Sequence, residues 1–407
     1  MMAADVVITG LGLVTPAGVG VEENWARVLS GRSCAARDDA LDGLPVDLCC
    51  RVPGFDADAL LGGRTAWQLD RFVQLAVAAA RMAVRDAGCS SDTWDGTRVG
   101  VVLGNSLGGP GVLEEQHAVL CEAGSRRVSP LTIPKYLPNM VAGQVAIDCG
   151  AQGPSLVTAT ACASGATAIG LGRDLLRSGR CDLVLAGASE SALTPTTLAG
   201  LAKMGALSRG KPDAERASRP FDADRDGFVA AEGAGVLVLE RAADARARGA
   251  SMRAAVSGYG AATDAHHATA PHPEGRGIQQ ALRQALADAG VSPGEVDHVN
   301  AHGTSTPMND LVEGAVLRRV LGERPAVAST KGVTGHALAA AGAIEAAYTA
   351  LAVERGTVPP TANLERRDPR IDLDVVSGAP RPVGIDVAVS TSLGFGGHNA
   401  ALVLTAV

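Results

Sequence analysis

Short runs of valine, isoleucine and leucine alternate along the chain with longer, helix-like stretches. The apolar runs are typical of strands, and the longer stretches predict helices. Because the strands are apolar on both faces and separated by helices, we expect buried sheets covered by helices. The predicted strands span residues 6–9, 99–103, 156–160, 183–186, 236–239, 254–257, 298–301, 326–329, 387–390 and 401–405, and the predicted helices include 70–87, 163–178 and 277–289.

Three short segments of the first half recur in the same order in the second half. Each match alone is weak, because apolar strands resemble one another by chance. Their shared order predicts two similar halves, residues 1–250 and 251–407, which meet near residue 250. The matching pairs are VITGLG at 7–12 with AVSGYG at 255–260, RDAG at 85–88 with ADAG at 287–290, and AGVLVL at 234–239 with NAALVL at 399–404.

Composition excludes several classes of protein. The chain has 407 residues, 46% of them hydrophobic and 19% charged, which excludes intrinsic disorder. Its net charge of −7 and its 3% of aromatic residues argue against general nucleic-acid binding. The eight cysteines form no Cys-x-x-Cys pair, so we expect no metal site. Without an apolar run of about 18 residues or a secretory signal, we expect a cytoplasmic protein that does not enter membranes.

Cys162 stands out among the cysteines because of its neighbours. In TATACASG, residues 158–165, an apolar stretch leads into the cysteine, and a run rich in alanine, isoleucine and leucine follows. This pattern predicts a sharp strand-to-helix turn with Cys162 at the N-terminus of the helix, where the helix dipole favours a thiolate. A free cysteine is most often an inert buried residue, and the other seven cysteines lack this context.

Two histidines and a glycine-rich loop also follow predicted strands. His302 lies in NAHGTSTPMND (300–310), His336 in STKGVTGH (329–336), and the glycine-rich loop is SLGFGGHN (392–399). Ligands of α/β sheets usually bind at the carboxyl ends of the strands. One cysteine and two histidines placed there are suited to hold an acyl group as a thioester and to donate hydrogen bonds to a second carbonyl.

Other stretches strengthen the pattern, namely NMVAG at 139–143, SRPFDADRDGF at 218–228 and EGAG at 232–235. Together, the segments resemble the signature of elongating β-ketoacyl-acyl carrier protein synthases, the condensing enzymes of fatty acid and type II polyketide synthesis. The resemblance extends over residues 5–405. It implies an α/β, thiolase-like fold, in which two repeated βαβαβ halves form five layers, α/β/α/β/α.

The resemblance also implies a catalytic mechanism. Cys162 would accept the growing acyl chain as a thioester and pass it to a malonyl group that loses CO₂. His302 and His336 would stabilise the oxyanion of the malonyl thioester. The backbone N–H groups of Cys162 and Phe395 would stabilise a second oxyanion, and the Phe395 side chain would screen the cysteine until an acyl chain is loaded. Lys331 would anchor the site through carboxylates such as Glu345 and Glu313.

Further residues are expected to meet the substrate or its carrier. Thr304 and Thr306 would bind the phosphopantetheine arm, which acyl carrier protein supplies, so we expect no cofactor bound by the chain itself. Leu107 would line the far end of the acyl pocket, and Glu345 is grouped with these substrate-binding residues. Since carrier proteins are acidic, a local basic patch is needed for docking. The predicted patch consists of Arg126, Arg127, Arg209 and Lys211.

Several alternatives remain open from the sequence. The chain could form a homodimer, or it could be the catalytic subunit of a heterodimer with a chain-length factor. A chain-length factor itself would lack the nucleophile, whereas Cys162, His302 and His336 are all present. Starter-type ketosynthases pair one histidine with an asparagine, which disfavours that class and its coenzyme A thioesters. A non-catalytic scaffold that binds acyl carrier protein is the alternative from outside the enzymes.

Overall fold

A computed structural model describes residues 6–209 and 213–407. Each predicted strand and helix has a counterpart in it, but several strands extend well beyond the predicted bounds: the strand predicted at 6–9 runs to residue 15, and the one predicted at 254–257 runs to residue 263. The strands are β1 (Val6–Thr15), β2 (Gly18–Val19), β3 (Ala36–Arg37), β4 (Leu48–Cys50), β5 (Val99–Gly104), β6 (Ser155–Thr158), β7 (Leu183–Glu190), β8 (Ala230–Ala231), β9 (Gly233–Arg241), β10 (Ala254–Thr263), β11 (His298–Asn300), β12 (Ala326–Ala328), β13 (Thr357–Val358), β14 (Asp374–Val375), β15 (Arg381–Pro382), β16 (Val387–Gly394) and β17 (His398–Thr405).

The helices fill the connections between these strands. Each of the three helices predicted from the sequence is present, with ends that differ by a residue or so from the expected ones. The α-helices are α1 (Val21–Leu29), α2 (Ala57–Leu61), α3 (Gly63–Gln68), α4 (Arg71–Asp86), α5 (Pro110–Ala123), α6 (Thr132–Tyr136), α7 (Met140–Cys149), α8 (Ser164–Arg177), α9 (Pro195–Lys203), α10 (Ala242–Ala247), α11 (Arg276–Ala289), α12 (Pro307–Leu321), α13 (Lys331–Thr334) and α14 (Ala341–Arg355).

The long strands form two sheets with the same internal order. The first runs β6-β5-β7-β9-β1, and the second runs β12-β11-β16-β17-β10, with β14 added at its edge. In both sheets the first three strands of this order are parallel to one another. The fourth strand is antiparallel to the third and to the fifth. β1 and β10 pair briefly through Val7 with Ala255 and Ile8 with Ala254, which joins the sheets edge to edge. The predicted repeat of two βαβαβ halves is confirmed.

Helices separate and cover the two sheets. α8 and α14 lie between them and contact strands of both. α4 and α7 cover the outer face of the first sheet, and α11, with α12 packed beside it, covers that of the second. This is the predicted α/β/α/β/α arrangement. The central helices are tightly packed: a β-carbon on Gly165 would lie 2.5 Å from the backbone N of Ala343, so a side chain there would clash.

The connection between the halves contains α10, which starts directly after β9 and ends before β10. The predicted division at residue 250 falls in this connection and stays a prediction. Within the described residues, no helix has the length and apolarity needed to cross a membrane.

Candidate active site

Cys162 lies in a sharp turn between β6 and α8. A single turn of 3₁₀-helix, Ala161–Ala163, precedes the first residue of α8, Ser164. Ala161 has a φ of 48°, a conformation that is unusual for a residue other than glycine. The Ser164 hydroxyl holds the turn, because it donates to the carbonyl of Ala161 at 2.7 Å and accepts from the Thr160 N–H at 2.9 Å. The turn projects the thiol in front of the helix.

His302 follows β11 at the carboxyl edge of the second sheet. The carboxylate of Glu313, on α12, accepts hydrogen bonds from the backbone N–H groups of His302 and Gly303, both at 2.8 Å. Thr391, on β16, donates to the same carboxylate at 2.6 Å. One buried carboxylate therefore fixes the start of the loop that carries the histidine.

The thiol and both imidazoles meet at one buried point. The Sγ atom of Cys162 lies 3.1 Å from Nε2 of His336. The rings of His302 and His336 are nearly perpendicular, with centroids 5.2 Å apart. One ligating atom from each of the three residues lies within 4.8 Å of the other two. All three residues are buried, so groups from both halves of the chain share a small and largely dehydrated space.

Lys331 fixes the tautomer of His302. Its Nζ donates to the carbonyl of His302 at 2.7 Å and lies 3.3 Å from the Nδ1 atom of the same residue. An ammonium can only donate, so Nδ1 accepts and the ring proton is on Nε2, which faces the thiol. Lys331 also forms a buried ion pair with Glu345. The result is an N–H donor aimed into the site.

One of the two carboxylates expected to pair with Lys331 does so. Glu345 is buried and bonds to the lysine, as expected, and its grouping with the substrate-binding residues stays a prediction. Burial raises the pKa of Glu345 to about 7, and the charge of Lys331 opposes this rise. Glu313, expected to pair with the lysine, instead holds the backbone of His302. Glu313 thus contacts the backbone of His302, and Glu345 contacts the ammonium of Lys331.

Burial favours the neutral forms of the Cys162 thiol and of both imidazoles. It lowers the pKa of both His302 and His336 well below the ordinary value, and the charge of Lys331 lowers both further. Burial also raises the pKa of Cys162 to about 12, although Lys331 and the N–H of Phe395 oppose this rise. The effect expected from the helix dipole stays a prediction. At neutral pH the site holds a thiol beside the neutral imidazole of His336.

These shifts predict a flat pH profile for malonyl decarboxylation. A histidine with a lowered pKa stays neutral at pH values where an ordinary imidazole is protonated, so both donors keep their form as the pH falls. The decarboxylation rate of a Cys162→Gln variant, measured with malonyl-loaded carrier protein, should stay constant from pH 8 to about pH 6. A loss of about half the rate near pH 6.5 would contradict the assignment of both imidazoles as buried neutral donors.

The thiol and imidazoles open into a cavity of about 880 Å³. Three residues expected to bind substrate, Leu107, Thr304 and Thr306, line it, and so does Phe395. Phe395 occupies the hairpin between β16 and β17, where Gly396 and Gly397 have positive φ values. Most other lining residues are apolar or carry hydroxyl groups, as expected for a pocket that takes an acyl chain.

The predicted docking residues are placed as follows. Arg126 and Arg127 end an exposed turn that follows α5. Arg209 is exposed, and its guanidinium lies beside Gly205, which lines the cavity. Lys211 lies outside the described residues. The basic patch therefore stays a prediction.

Sequence reasoning missed several residues of the site. Phe228 packs edge-on against His336, with ring centroids 5.1 Å apart. Asp264 and His398 also line the cavity. Glu190 is a buried carboxylate near Cys162, whose pKa it helps to raise. The motif at 218–228 contains Phe228, but it gave no sign of a contact with a residue more than a hundred positions away.

One thiol and two imidazoles are also a set of zinc ligands. The ammonium of Lys331 beside His302 opposes a cation at this point and directs the Nε2 proton, rather than a lone pair, toward the thiol. The expectation that the site works without a metal stays a prediction.

The fold and the site define a class, the thiol-dependent acyltransferases of thiolase-like fold. Family models agree: the N-terminal domain of β-ketoacyl synthases matches residues 3–245, and the C-terminal domain matches residues 253–365. The chain belongs to the β-ketoacyl synthase family. It is an enzyme with the Cys-His-His set of the elongating condensing enzymes.

Curated relatives and solved structures agree with this assignment. The 3-oxoacyl-[acyl-carrier-protein] synthase 2 of a Synechocystis strain is 44% identical over 98% of this chain and 97% of its own. The enzyme of the same name from Staphylococcus aureus strain COL is 42% identical, with the same coverage. Among solved structures, the ishigamide ketosynthase/chain length factor has a TM-score of 0.94 and 35% identity, covering all of both chains. A type II polyketide synthase acyl-carrier protein in complex with its ketosynthase bound to the hexaketide has a TM-score of 0.92 and 33% identity, again over all of both chains.

Proposed function

We propose that the protein elongates acyl chains held on acyl carrier protein, with Cys162 as the nucleophile and His302 and His336 as oxyanion donors. The observation that supports this assignment is the 3.1 Å contact between Sγ of Cys162 and Nε2 of His336, with the His302 ring beside it in the same buried space. Such an arrangement combines nucleophilic catalysis with electrostatic stabilisation in a site that excludes water.

Acyl transfer is the first half of the reaction. The Cys162 sulfur attacks the carbonyl of an acyl thioester on carrier protein as a thiolate, to which the Nε2 proton of His336 donates. The N–H groups of Cys162 and Phe395 donate to the oxyanion that forms; the N–H of Phe395 already faces the sulfur. When the oxyanion collapses, the C–S bond to the pantetheine breaks, and the leaving thiolate takes up the proton that the Cys162 thiol lost.

Condensation is the second half. A malonyl thioester on a second carrier protein loses CO₂, and the electron pair of the broken C–C bond moves into an enolate. The Nε2 protons of His302 and His336 stabilise the enolate oxygen. Its carbon then attacks the Cys162 thioester, and the C–S bond breaks with its electron pair on the Cys162 sulfur. A β-ketoacyl carrier protein leaves, and the Cys162 thiolate takes a proton from water. Two neutral donors suit this step, because negative charge develops where they already point.

The carrier protein supplies the phosphopantetheine, so the reaction needs no further cofactor from the chain. Thr304 and Thr306, whose hydroxyls lie 2.9 Å apart in the cavity wall, are placed to bond the amides of this arm. The test is to incubate the enzyme with malonyl-loaded carrier protein and a series of acyl-loaded primers, and to measure product masses. We expect β-ketoacyl products two carbons longer than each primer. If the protein were instead a non-catalytic scaffold that binds acyl carrier protein, no product would form. In that case a thiol-directed acyl mimic would also fail to label Cys162.

The basic patch gives a separate prediction. Replacing Arg126 and Arg127 with glutamate should raise KM for acyl carrier protein several-fold and weaken its dependence on salt, because rim charges mainly speed association. The same double variant should turn over small acyl-pantetheine thioesters at the rate of the unchanged enzyme. Equal losses with both substrates would place these arginines in a structural role.

A second candidate places this chain in a heterodimer. The solved structure of the ishigamide ketosynthase/chain length factor, 35% identical to this chain, favours it. In this case a chain-length factor would be the second subunit, rather than a second copy. The chain is purified alone and together with a synthase-like protein encoded by a neighbouring gene, and the mass of each assembly is measured in solution. The masses distinguish a homodimer from a heterodimer. An active homodimer from the chain alone would reject the heterodimer.

A further inference from the structure

Glu190 is a buried carboxylate that the catalytic mechanism leaves without a role. It is the last residue of β7 and has no exposed surface. Its Oε1 accepts from the Asn105 amide at 3.1 Å, and its Oε2 accepts from the backbone N–H of Ser106 at 3.0 Å and from the Ser106 hydroxyl. Burial raises the pKa of Glu190 to about 7, and only hydrogen-bond donors oppose this rise appreciably. Among the residues that the structure describes, no cation pairs with Glu190. Burial of an unpaired carboxylate is costly, which suggests that this one has a role.

The donors all belong to one turn, residues 105–108, which follows β5. Asn105 ties the turn together: its amide donates to the carbonyl of Ser189 at 2.9 Å, and its Oδ1 accepts from the N–H of Gly108 at 2.7 Å. Gly108 has a φ of 66°, and a β-carbon there would lie 2.2 Å from the carbonyl oxygen of Tyr136. The turn is therefore held from behind by Glu190 and has little room to move sideways.

The opposite side of the same turn faces the cavity. Ser106 and Leu107 line the space that contains Cys162. A backbone that bonds to a carboxylate on one side thus presents an apolar wall to substrate on the other. The position of Leu107 depends on the bonds that Glu190 makes.

We propose that Glu190 is a positioning residue that holds the 105–108 turn and thereby limits the length of acyl chain the cavity accepts. The inference rests on the proposed function, because it takes Leu107 as part of the acyl pocket. Glu190 itself touches no substrate. Its carboxylate keeps the turn closed, so that Leu107 blocks the longer chains; without those bonds, the turn yields and the pocket lengthens.

The test compares a series of acyl-loaded carrier proteins, from short to long chains, as primers. Glu190→Gln keeps the shape of the side chain but replaces one acceptor oxygen with a donor. We expect it to raise the ratio of kcat/KM for long over short primers by about tenfold, the size expected from pocket contacts of this kind. Ser106→Ala removes one donor to the same carboxylate and should shift the ratio in the same direction. In the double variant the shift should be smaller than the sum, since both changes remove the same hydrogen bond.

Glu240→Gln is the matched control. Glu240 is also buried on a strand of the first sheet, and it pairs with Arg248 rather than with the cavity turn. The Glu240→Gln variant should be less stable than the unchanged enzyme, with no change in the ratio of kcat/KM for long over short primers. If the unchanged enzyme elongates primers but Glu190→Gln lowers kcat/KM for all primers by the same factor, Glu190 is structural only and this inference is wrong. If the unchanged enzyme elongates none of them, the proposed function itself fails.

Discussion

Replacing Cys162 with alanine is expected to abolish condensation, with a fall in kcat/KM of about ten-thousand-fold or more. The acyl chain then has no sulfur to form a thioester with, and the remaining groups provide only oxyanion stabilisation and binding. The measurement is the formation of β-ketoacyl product from malonyl-loaded and acyl-loaded carrier proteins. Mass spectrometry of the enzyme should show no acylated species.

Two variants make this result specific. Cys149→Ala removes another buried thiol, at the end of α7 and outside the cavity wall, and should keep condensing activity. Cys162→Gln fills the space of the acylated cysteine with an amide, and we expect it to decarboxylate malonyl thioester without condensing it. Full condensing activity in Cys162→Ala would refute the nucleophile and, with it, the proposed reaction.

Loss of either histidine is expected to slow malonyl decarboxylation by about a hundred- to a thousandfold, the usual cost of removing one oxyanion donor. The two losses should differ in the first half of the reaction. His336 touches the Cys162 sulfur, so His336→Ala should also slow acyl transfer to the enzyme. His302 bonds to Lys331 instead, so His302→Ala should leave acyl transfer largely intact. The measurements are acyl-enzyme formation and CO₂ release.

His298→Asn is the control for removing a buried histidine. His298 bonds to the carbonyl of Ala326 at 2.8 Å, and burial lowers its pKa to about 4. The variant should be less stable than the unchanged enzyme. The ratio of its rate of CO₂ release to its rate of acyl-enzyme formation should nevertheless equal that of the unchanged enzyme. If His302→Ala and His336→Ala behave alike in both half-reactions, the division of roles inferred from the contacts is wrong.

Local pattern predicted the parts of this site that depend on neighbours in sequence. Small residues between an apolar run and a helix-forming run predicted the turn at Cys162, and the turn is present. Apolar runs placed His302 and His336 after strands; β11 ends just before His302, whereas the short helix α13 lies between β12 and His336. These features follow from strand and helix periodicity, which can be recognised from a few consecutive residues.

Distant contacts were not predictable in this way. No pattern of neighbouring residues indicated that Glu313 would hold the backbone of His302 rather than bond to Lys331, or that Phe228 would pack on His336. The role of Glu190 behind the cavity turn was equally hidden. Each contact depends on which strands lie side by side, and strand order is set by the packing of the whole chain.

Residue patterns alone were enough to predict the strands, the helices, the repeat and the three groups that carry the chemistry. The protonation of those groups, the tautomer of His302 and the shape of the acyl cavity follow from the folded chain, because burial and hydrogen bonding are collective. The pKa of Cys162 depends on all the atoms that exclude water from it, and these atoms come from both halves of the chain.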